Sequence, residues 1–239
     1  MTDNEALQLM VQCNNNIFDS TLNIIADLDY TVISEDPFSP QFTKTAGGSY
    51  LGKSLLTMTL DDWRSEQYRK ILTRCANSKT NSKWLSLKFS RTRPYWLIII
   101  NFQPLINYST DNVIGFRLSG EQIDLPLQLY SIKEIIRSSK FAKNNYQPQN
   151  DDFLTNREHE ILFLLFYCDN YQQIADLMSL SHSINFTSSM VAKVVSRNLY
   201  VKFDEVNLDA LKQAAHRKNY HKNVPPSLFG EFMYPLSML

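Results

Sequence analysis

The chain has 239 residues, 44% of them apolar and 20% charged, with 24 basic side chains against 24 acidic ones. That balance excludes a disordered chain and gives no global attraction to polyanions, so any contact with nucleic acid must come from local charge. Cys13, Cys75 and Cys168 are scattered without CxxC spacing, as expected of reduced thiols.

Asp3 and Glu5 stand where a secretory leader would be basic, and the longest apolar run, near residues 95–100, is far short of a membrane span. A cytoplasmic protein with no membrane segment is expected. The length fits two domains as well as one.

Residues 4–26 place Leu7, Val11, Ile17, Phe18, Leu22 and Ile25 at roughly helical spacing, with Asn14-Asn15-Asn16 as a weak middle that could divide the helix in two. Such a helix can pack on its own domain or pair with a partner subunit. Tyr30–Ile33 is a short strand candidate, stopped by Glu35-Asp36-Pro37. The acidic residues Asp27, Asp29, Glu35 and Asp36 read as a solvated loop. Residues 34–54 are mostly turn, with a brief strand candidate at Gln41–Lys44.

Asp61 or Asp62 caps a helix carrying Trp63, Tyr68, Ile71 and Leu72, which ends at residues 76–79. Leu85, Leu87 and Phe89 alternate with Ser86, Lys88 and Ser90, the period of a strand with one wet face. Tyr95–Phe102 is aromatic and β-branched almost throughout. A turn at Asn107–Asn112 leads to a third strand, Val113–Leu118, ended by Gly120. A short strand, a loop, a helix and an antiparallel meander make an α+β module of about 100 residues.

This order and spacing are similar to those of a PAS domain. The resemblance implies a module that senses a small molecule, light or redox state, or that dimerises. No cofactor is identified, and the first half of the chain contains no His that could ligate haem.

Gly47-Gly48-Ser49-Tyr50-Leu51-Gly52-Lys53-Ser54 matches the GxxxxGK[ST] spacing of a phosphate loop. The mechanism also needs a strand running into the loop, a helix behind it and an acidic residue for Mg²⁺. Residues 40–44 are a weak strand and Leu55–Thr59 reads as extended, so a PAS loop is the better reading and a nucleotide hydrolase using Lys53 and Ser54 the rival.

Pro126 opens a helix over residues 127–137 with Leu129, Ile132 and Ile136 in line, packed on a sheet edge or on its copy in a dimer. The polar stretch 144–152 sets the domain boundary. The expected division is 1–125, a PAS-like sensory or dimerisation domain; 126–150, a linker; 151–222, an all-α DNA-binding domain; and 223–239, an apolar tail.

In the third segment Thr155 and Glu158 form a capping box ahead of an apolar run. Asn170 and Gln173 open a second helix with Ile174, Leu177 and Met178 on one side. Residues 187–203 supply the third helix that two short ones need to close a core. This is a helix-turn-helix pattern.

Thr155, Arg157-Glu158, Glu160-Ile161-Leu162, Ile174-Ala175, Leu180-Ser181 and Lys202-Phe203 fall in the order found in LuxR/GerE-type helix-turn-helix domains, over about residues 152–218. The whole chain resembles PAS-containing LuxR-like transcriptional regulators and, more distantly, TraJ-type activators of conjugation. The stretch Ser181–Phe186 lengthens the turn by a few residues relative to the family, leaving the register of the recognition helix open by one turn.

Thr187 or Ser188 can cap that third helix, with Met190 or Val191, Val194, Val195 and Leu199 packed and Lys193, Ser196, Arg197 and Asn198 outside. From Thr187 to Lys202 there are three basic residues and no acid. Small hydroxyls and basic side chains suit close approach to a backbone or base edge in the major groove. The candidate DNA-binding residues are Thr187, Ser188, Ser189, Lys193, Ser196, Arg197 and Lys202.

A final helix, residues 208–217, points Leu208, Leu211 and Ala215 inward. Lys212, Arg217, Lys218, Lys222, His216 and His221 form a basic patch that either contacts phosphate or is simply wet. His159, His182, His216 and His221 lack metal-ligand spacing. The tail, apolar from Val224 onward, docks on one of the domains or on a partner.

The expected function is sequence-specific transcriptional regulation by binding, without chemistry. Expected partners are double-stranded DNA and a second copy of the chain, with room for a small-molecule ligand in the PAS-like module. The rival readings are a protein-interaction adaptor whose helix-turn-helix does not bind DNA, and the nucleotide hydrolase.

Overall fold

The structure, a computed structural model, describes residues 1–14, 22–36, 49–58, 62–88, 96–123, 132–133, 136 and 153–236. The chain divides into two compact units, Met1–Leu85 with Ile98–Ile123 and Pro235–Leu239, and Ser86–Leu97 with Asp124–Tyr234. An antiparallel sheet with associated helices is followed by an all-α bundle, the architecture expected from the sequence.

The amino-terminal unit begins with helix α1, Asp3–Asn14. Its start is a reciprocal cap: the Thr2 N–H donates to Glu5 Oε2 at 2.8 Å and the Glu5 N–H to Thr2 Oγ1 at 3.3 Å. Residues 15–21, with Ile17 and Phe18, lie outside the described residues. Leu22–Ala26 is instead strand β1, buried at all five positions. A strand covered on both faces does not alternate, so periodicity alone cannot separate it from part of a helix; its one polar residue, Asn23, accepts from Arg117 at 2.9 Å.

Strand β2, Val32–Glu35, pairs antiparallel with β1. The turn between them is tied by Asp27 Oδ1, which accepts the N–H groups of Asp29 and Thr31 at 3.0 and 2.8 Å. Not all the neighbouring acids are solvated. Asp36 is buried, and Glu35 Oε2 accepts the Tyr50 N–H at 2.9 Å.

Leu55–Met58 is a 3₁₀ turn rather than an extended segment, and helix α2 is Asp62–Ser78. Strands β3 (Ser82–Lys88), β4 (Trp96–Asn107) and β5 (Asn112–Gln122) follow, giving the neighbour order β2-β1-β5-β4-β3. The β4–β5 ladder runs antiparallel from Ile98↔Gln122 to Asn107↔Asn112. β5 passes through Gly120 instead of ending there, and a Cβ at that position would lie 3.1 Å from Leu22 Cβ. Close packing against β1 is what requires glycine.

Side chains alternate across the sheet, so its two faces receive different helices. On one face Tyr68 of α2 meets the Phe102 ring edge-on at 5.1 Å, and the Cys75 thiol lies 3.8 Å from the Phe102 carbonyl oxygen. On the other, Ala6 of α1 packs with Ile25, Leu105 and Ile114. The Asp3 carboxylate fastens α1 to the β4–β5 turn, accepting from Asn107 and Thr110 at 2.6 Å and from Asn112 at 2.8 Å. The hydrogen bonds from Thr110, Asn112 and Asn107 hold its carboxyl below the ordinary range.

In the second unit, α3 (Asn156–Leu164), α4 (Tyr171–His182) and α5 (Ser188–Val194) form the bundle. A π-helical stretch, Val195–Leu199, carries α5 on into α6, Tyr200–Phe203. Helix α7 is Leu208–Arg217, followed by a 3₁₀ turn at Tyr220–Lys222 and a short strand, β6, at Phe232–Pro235. Leu211 and Ala215 face inward as expected, joined by Ala214, while Leu208 stays partly exposed.

The tail as far as Phe229 docks on this bundle. The Ser181 hydroxyl donates to the Leu228 carbonyl at 2.9 Å, and Phe229, 1% exposed, meets the Phe163 ring edge-on. Cutting Phe229 back to alanine would cost about 3–5 kcal/mol.

Of the linker helix only Ile132, Lys133 and Ile136 are described, and both isoleucines are buried. The polar stretch 144–152, the Gln41–Lys44 strand candidate and Gly47-Gly48 lie outside the described residues. No helix among the described residues is long and apolar enough to cross a membrane.

Candidate nucleic-acid interface

Three caps set the helix-turn-helix. Thr155 and Glu158 make the expected box, with the Thr155 N–H donating to Glu158 Oε2 at 2.8 Å and the Glu158 N–H to Thr155 Oγ1 at 3.4 Å. Asn170 Oδ1 accepts the Gln173 N–H at 3.0 Å, while the Gln173 side chain reaches back one residue further, to the Asp169 N–H. Thr187 Oγ1 accepts the Met190 N–H at 3.3 Å, so Thr187 rather than Ser188 begins the third helix. Each such cap stabilises its helix by about 1 kcal/mol.

The lengthened turn is taken up at both ends. α4 runs on through Ser181 to His182 and is stopped by Ser183 in the left-handed conformation, at φ 56°. Phe186 then anchors the return. Its ring is 5% exposed and its N–H donates to Ser179 Oγ at 2.9 Å.

The third helix buries Val191, Val195, Leu199 and Phe203, each four residues from the last. In a regular α-helix every four-residue step overshoots a full turn by about 40°, which would sweep this stripe off the core over three steps. The π stretch at Val195–Leu199 takes in the surplus residue and returns the stripe to the core. Met190, offered above as a packed position, is 38% exposed, and Val191 takes its place inside.

Two residues out of phase with the packed stripe, Ser189, Lys193 and Arg197 are exposed at four-residue intervals, with Ser196 and Thr187 exposed beside them and Ser188 partly exposed. The helix therefore brings six of the seven candidate residues to its outward side and amino end. Among the described residues no carboxylate pairs with Lys193 or Arg197. Lys202 is placed differently. Its Nζ donates to Glu158 Oε2 and to the Phe153 carbonyl, both at 2.7 Å.

Asn198 is exposed as expected, and its amide also donates to Glu158 Oε1 at 2.9 Å. Burial pushes the Glu158 carboxyl up, but the Lys202 ammonium, the Thr155 N–H and the Asn198 amide outweigh it and hold the group below its ordinary value. The buried carboxylate is thus kept charged and fully used.

The carboxyl-terminal basic residues are partly engaged. Lys218 sits over the rings of Phe153 and Phe203 at 4.5 and 5.1 Å. Arg217 is 3.9 Å from Glu205. His216 and His221 stack at 3.9 Å between ring centroids; burial, then His216 and Lys222, lowers the His221 pKa. Among the described residues no group of three or more His, Cys, Asp or Glu side chains could hold a metal ion.

One cation on this side escaped the sequence reading. Arg157, in the first turn of α3, is exposed and lies over the Phe186 ring at 5.1 Å. Its place in the capping phrase drew attention to Glu158, and nothing local signals that a residue 29 positions later will carry it.

The phosphate-loop spacing has no matching local structure where it is described. Ser54 Oγ accepts the Leu56 N–H at 3.3 Å, and a four-residue 3₁₀ turn, not an α-helix, follows.

No protein-family model matches the chain, and no curated protein matches it significantly. Among solved structures, VqmA of Vibrio cholerae in complex with a ligand and DNA superposes with a TM-score of 0.58 at 16% identity, covering 96% of this chain and 95% of that one. The phage VqmA–DPO complex gives a TM-score of 0.60 at 16% identity, covering 98% and 97%. At that identity the likeness is one of fold, and it spans both units.

Proposed function

We propose that this chain is a sequence-specific DNA-binding transcriptional regulator that acts as a homodimer, with its PAS-like module sensing a small molecule or serving dimerisation. The observation that carries the reading is the third helix of the bundle, which we take as the recognition helix. One stripe is locked into the core by four-residue packing, and the other carries Ser189, Lys193 and Arg197 uncompensated into solvent.

In a major groove Lys193 and Arg197 would supply phosphate and base-edge contacts, and Thr187, Ser188, Ser189 and Ser196 would supply small hydroxyls. Lys202 enters as the residue that ties the helix to Glu158. Affinity would come from local charge and half-site spacing from the dimer. Two structures of the same fold support the reading, one holding a ligand and DNA and the other DPO. Binding of this kind needs no chemistry, and the cytoplasm is the compartment that suits it.

The test is recovery of genomic fragments bound by the full chain, followed by mobility shift of those fragments at two salt concentrations. A DNA-binding regulator gives discrete fragments whose retardation weakens steeply with salt. An adaptor gives none. Nucleotide binding by the full chain would instead favour the hydrolase reading.

A further inference from the structure

We propose that Arg157 is a DNA-backbone contact, held ready by the Phe186 ring beside the amino end of the recognition helix. The proposal rests on the DNA-binding reading and adds a contact from outside the recognition helix.

Three observations converge on it. Arg157 is exposed, and among the described residues no carboxylate pairs with it. Its neighbour Glu158 is turned into the bundle and compensated by Lys202 and Asn198, so the first turn of α3 presents net positive charge outward. The guanidinium lies 5.1 Å from the ring centroid of Phe186, and Phe186 immediately precedes Thr187, the cap of the recognition helix.

The ring is itself fixed. Phe186 is buried and its backbone is held by Ser179, whose hydroxyl lies 2.7 Å from the Ala175 carbonyl. A guanidinium stacked on a fixed ring loses rotamer freedom before any ligand arrives, yet its N–H edges stay free to form a fork with phosphate oxygens. Phe186 belongs to the lengthened turn, so the turn that departs from the family pattern also supplies the platform for this cation.

A phosphate contact is indifferent to sequence, so mixed-sequence duplex DNA and the full-length chain suffice for the test. Binding is titrated at several salt concentrations for the wild type and for Arg157→Gln, Arg157→Lys and Phe186→Leu. The expected result for Arg157→Gln is a loss of about tenfold at low salt and a log–log salt slope shallower by about 0.9, the value of one phosphate contact. Arg157→Lys should keep the wild-type slope and lose part of the affinity, since charge remains but the fork does not. Phe186→Leu should keep the slope and weaken binding severalfold, because the ring alone has gone.

Wild-type affinity and slope in Arg157→Gln overturn the proposal. So does a loss of affinity with an unchanged slope, which would mean that Arg157 acts only through the fold. A wild-type chain that does not bind the duplex at any salt overturns the DNA-binding reading itself, a result distinct from the other two.

Discussion

Lys202 and Glu158 join α6, the last turn of the bundle's third helix, to the capping box that opens α3, with Nζ and Oε2 2.7 Å apart. The Glu158 side chain is 4% exposed and that of Lys202 33%. One buried group therefore caps its own helix, accepts from Asn198 and anchors the element expected to read DNA. Removing one partner leaves the other without compensation, and that asymmetry sets the cost. Lys202→Met should destabilise the second unit by about 2 kcal/mol in urea unfolding. Adding Glu158→Gln in the same chain should restore part of the loss.

The same carboxyl sets a pH dependence. Its folded pKa lies below the ordinary value of 4.5, so the unfolded chain binds the proton more readily. The stability it contributes is fully present above the ordinary value and is lost as pH falls through the lowered one. Urea midpoints measured from about pH 6 down to about pH 3 should fall more steeply for the wild type than for Glu158→Gln.

Lys193 and Arg197 face outward without ion pairs among the described residues, so replacing both with alanine should abolish retardation of bound fragments while leaving the thermal unfolding curve in place. Exposed substitutions of this kind change stability by about 0.5 kcal/mol or less. Retardation unchanged in the double variant would remove the outward stripe from the interface.

In the amino-terminal unit, a Cβ added at Gly115 would lie 2.6 Å from the Ala26 carbonyl oxygen and 3.2 Å from Leu7 Cδ1. The first neighbour is backbone of the adjoining strand and cannot rotate away. Gly115→Ala should therefore destabilise the sheet by about 1–3 kcal/mol, read as a lower denaturant midpoint for the amino-terminal transition.

The three thiols separate by environment. Burial, reinforced by the Asp169 carboxylate, pushes the Cys168 thiol up to about 12. Burial also raises Cys75, whereas Cys13 is exposed. Maleimide at pH 8 should modify one cysteine per native chain and three after unfolding, as mass spectrometry would show.

Several features were settled by short-range chemistry and could be read directly from the chain. The caps at Thr155, Asn170 and Thr187 each join residues three apart. The strands at Leu85–Leu87 and in the β-branched run after Trp96 also follow from local residue types, although Ser86, expected on a wet face, is buried with its two leucine neighbours. Each depends on groups within a few residues of one another, so no knowledge of the rest of the fold is needed.

The tertiary structure alone decided the rest. Leu22–Ala26 is a strand because β2 and β5 flank it, and nothing within those five residues signals either neighbour. The third helix of the bundle takes its π stretch because a core must meet Val191, Val195, Leu199 and Phe203 on one line. Four cations stand on or beside that helix, and their sequence surroundings do not rank them. Lys202 is used up by a carboxylate 44 positions away, Arg157 is set on a ring 29 positions away, and Lys193 and Arg197 are left to solvent. Charge is a property of the residue, but compensation is a property of its neighbours, and those are assembled only when the helices pack.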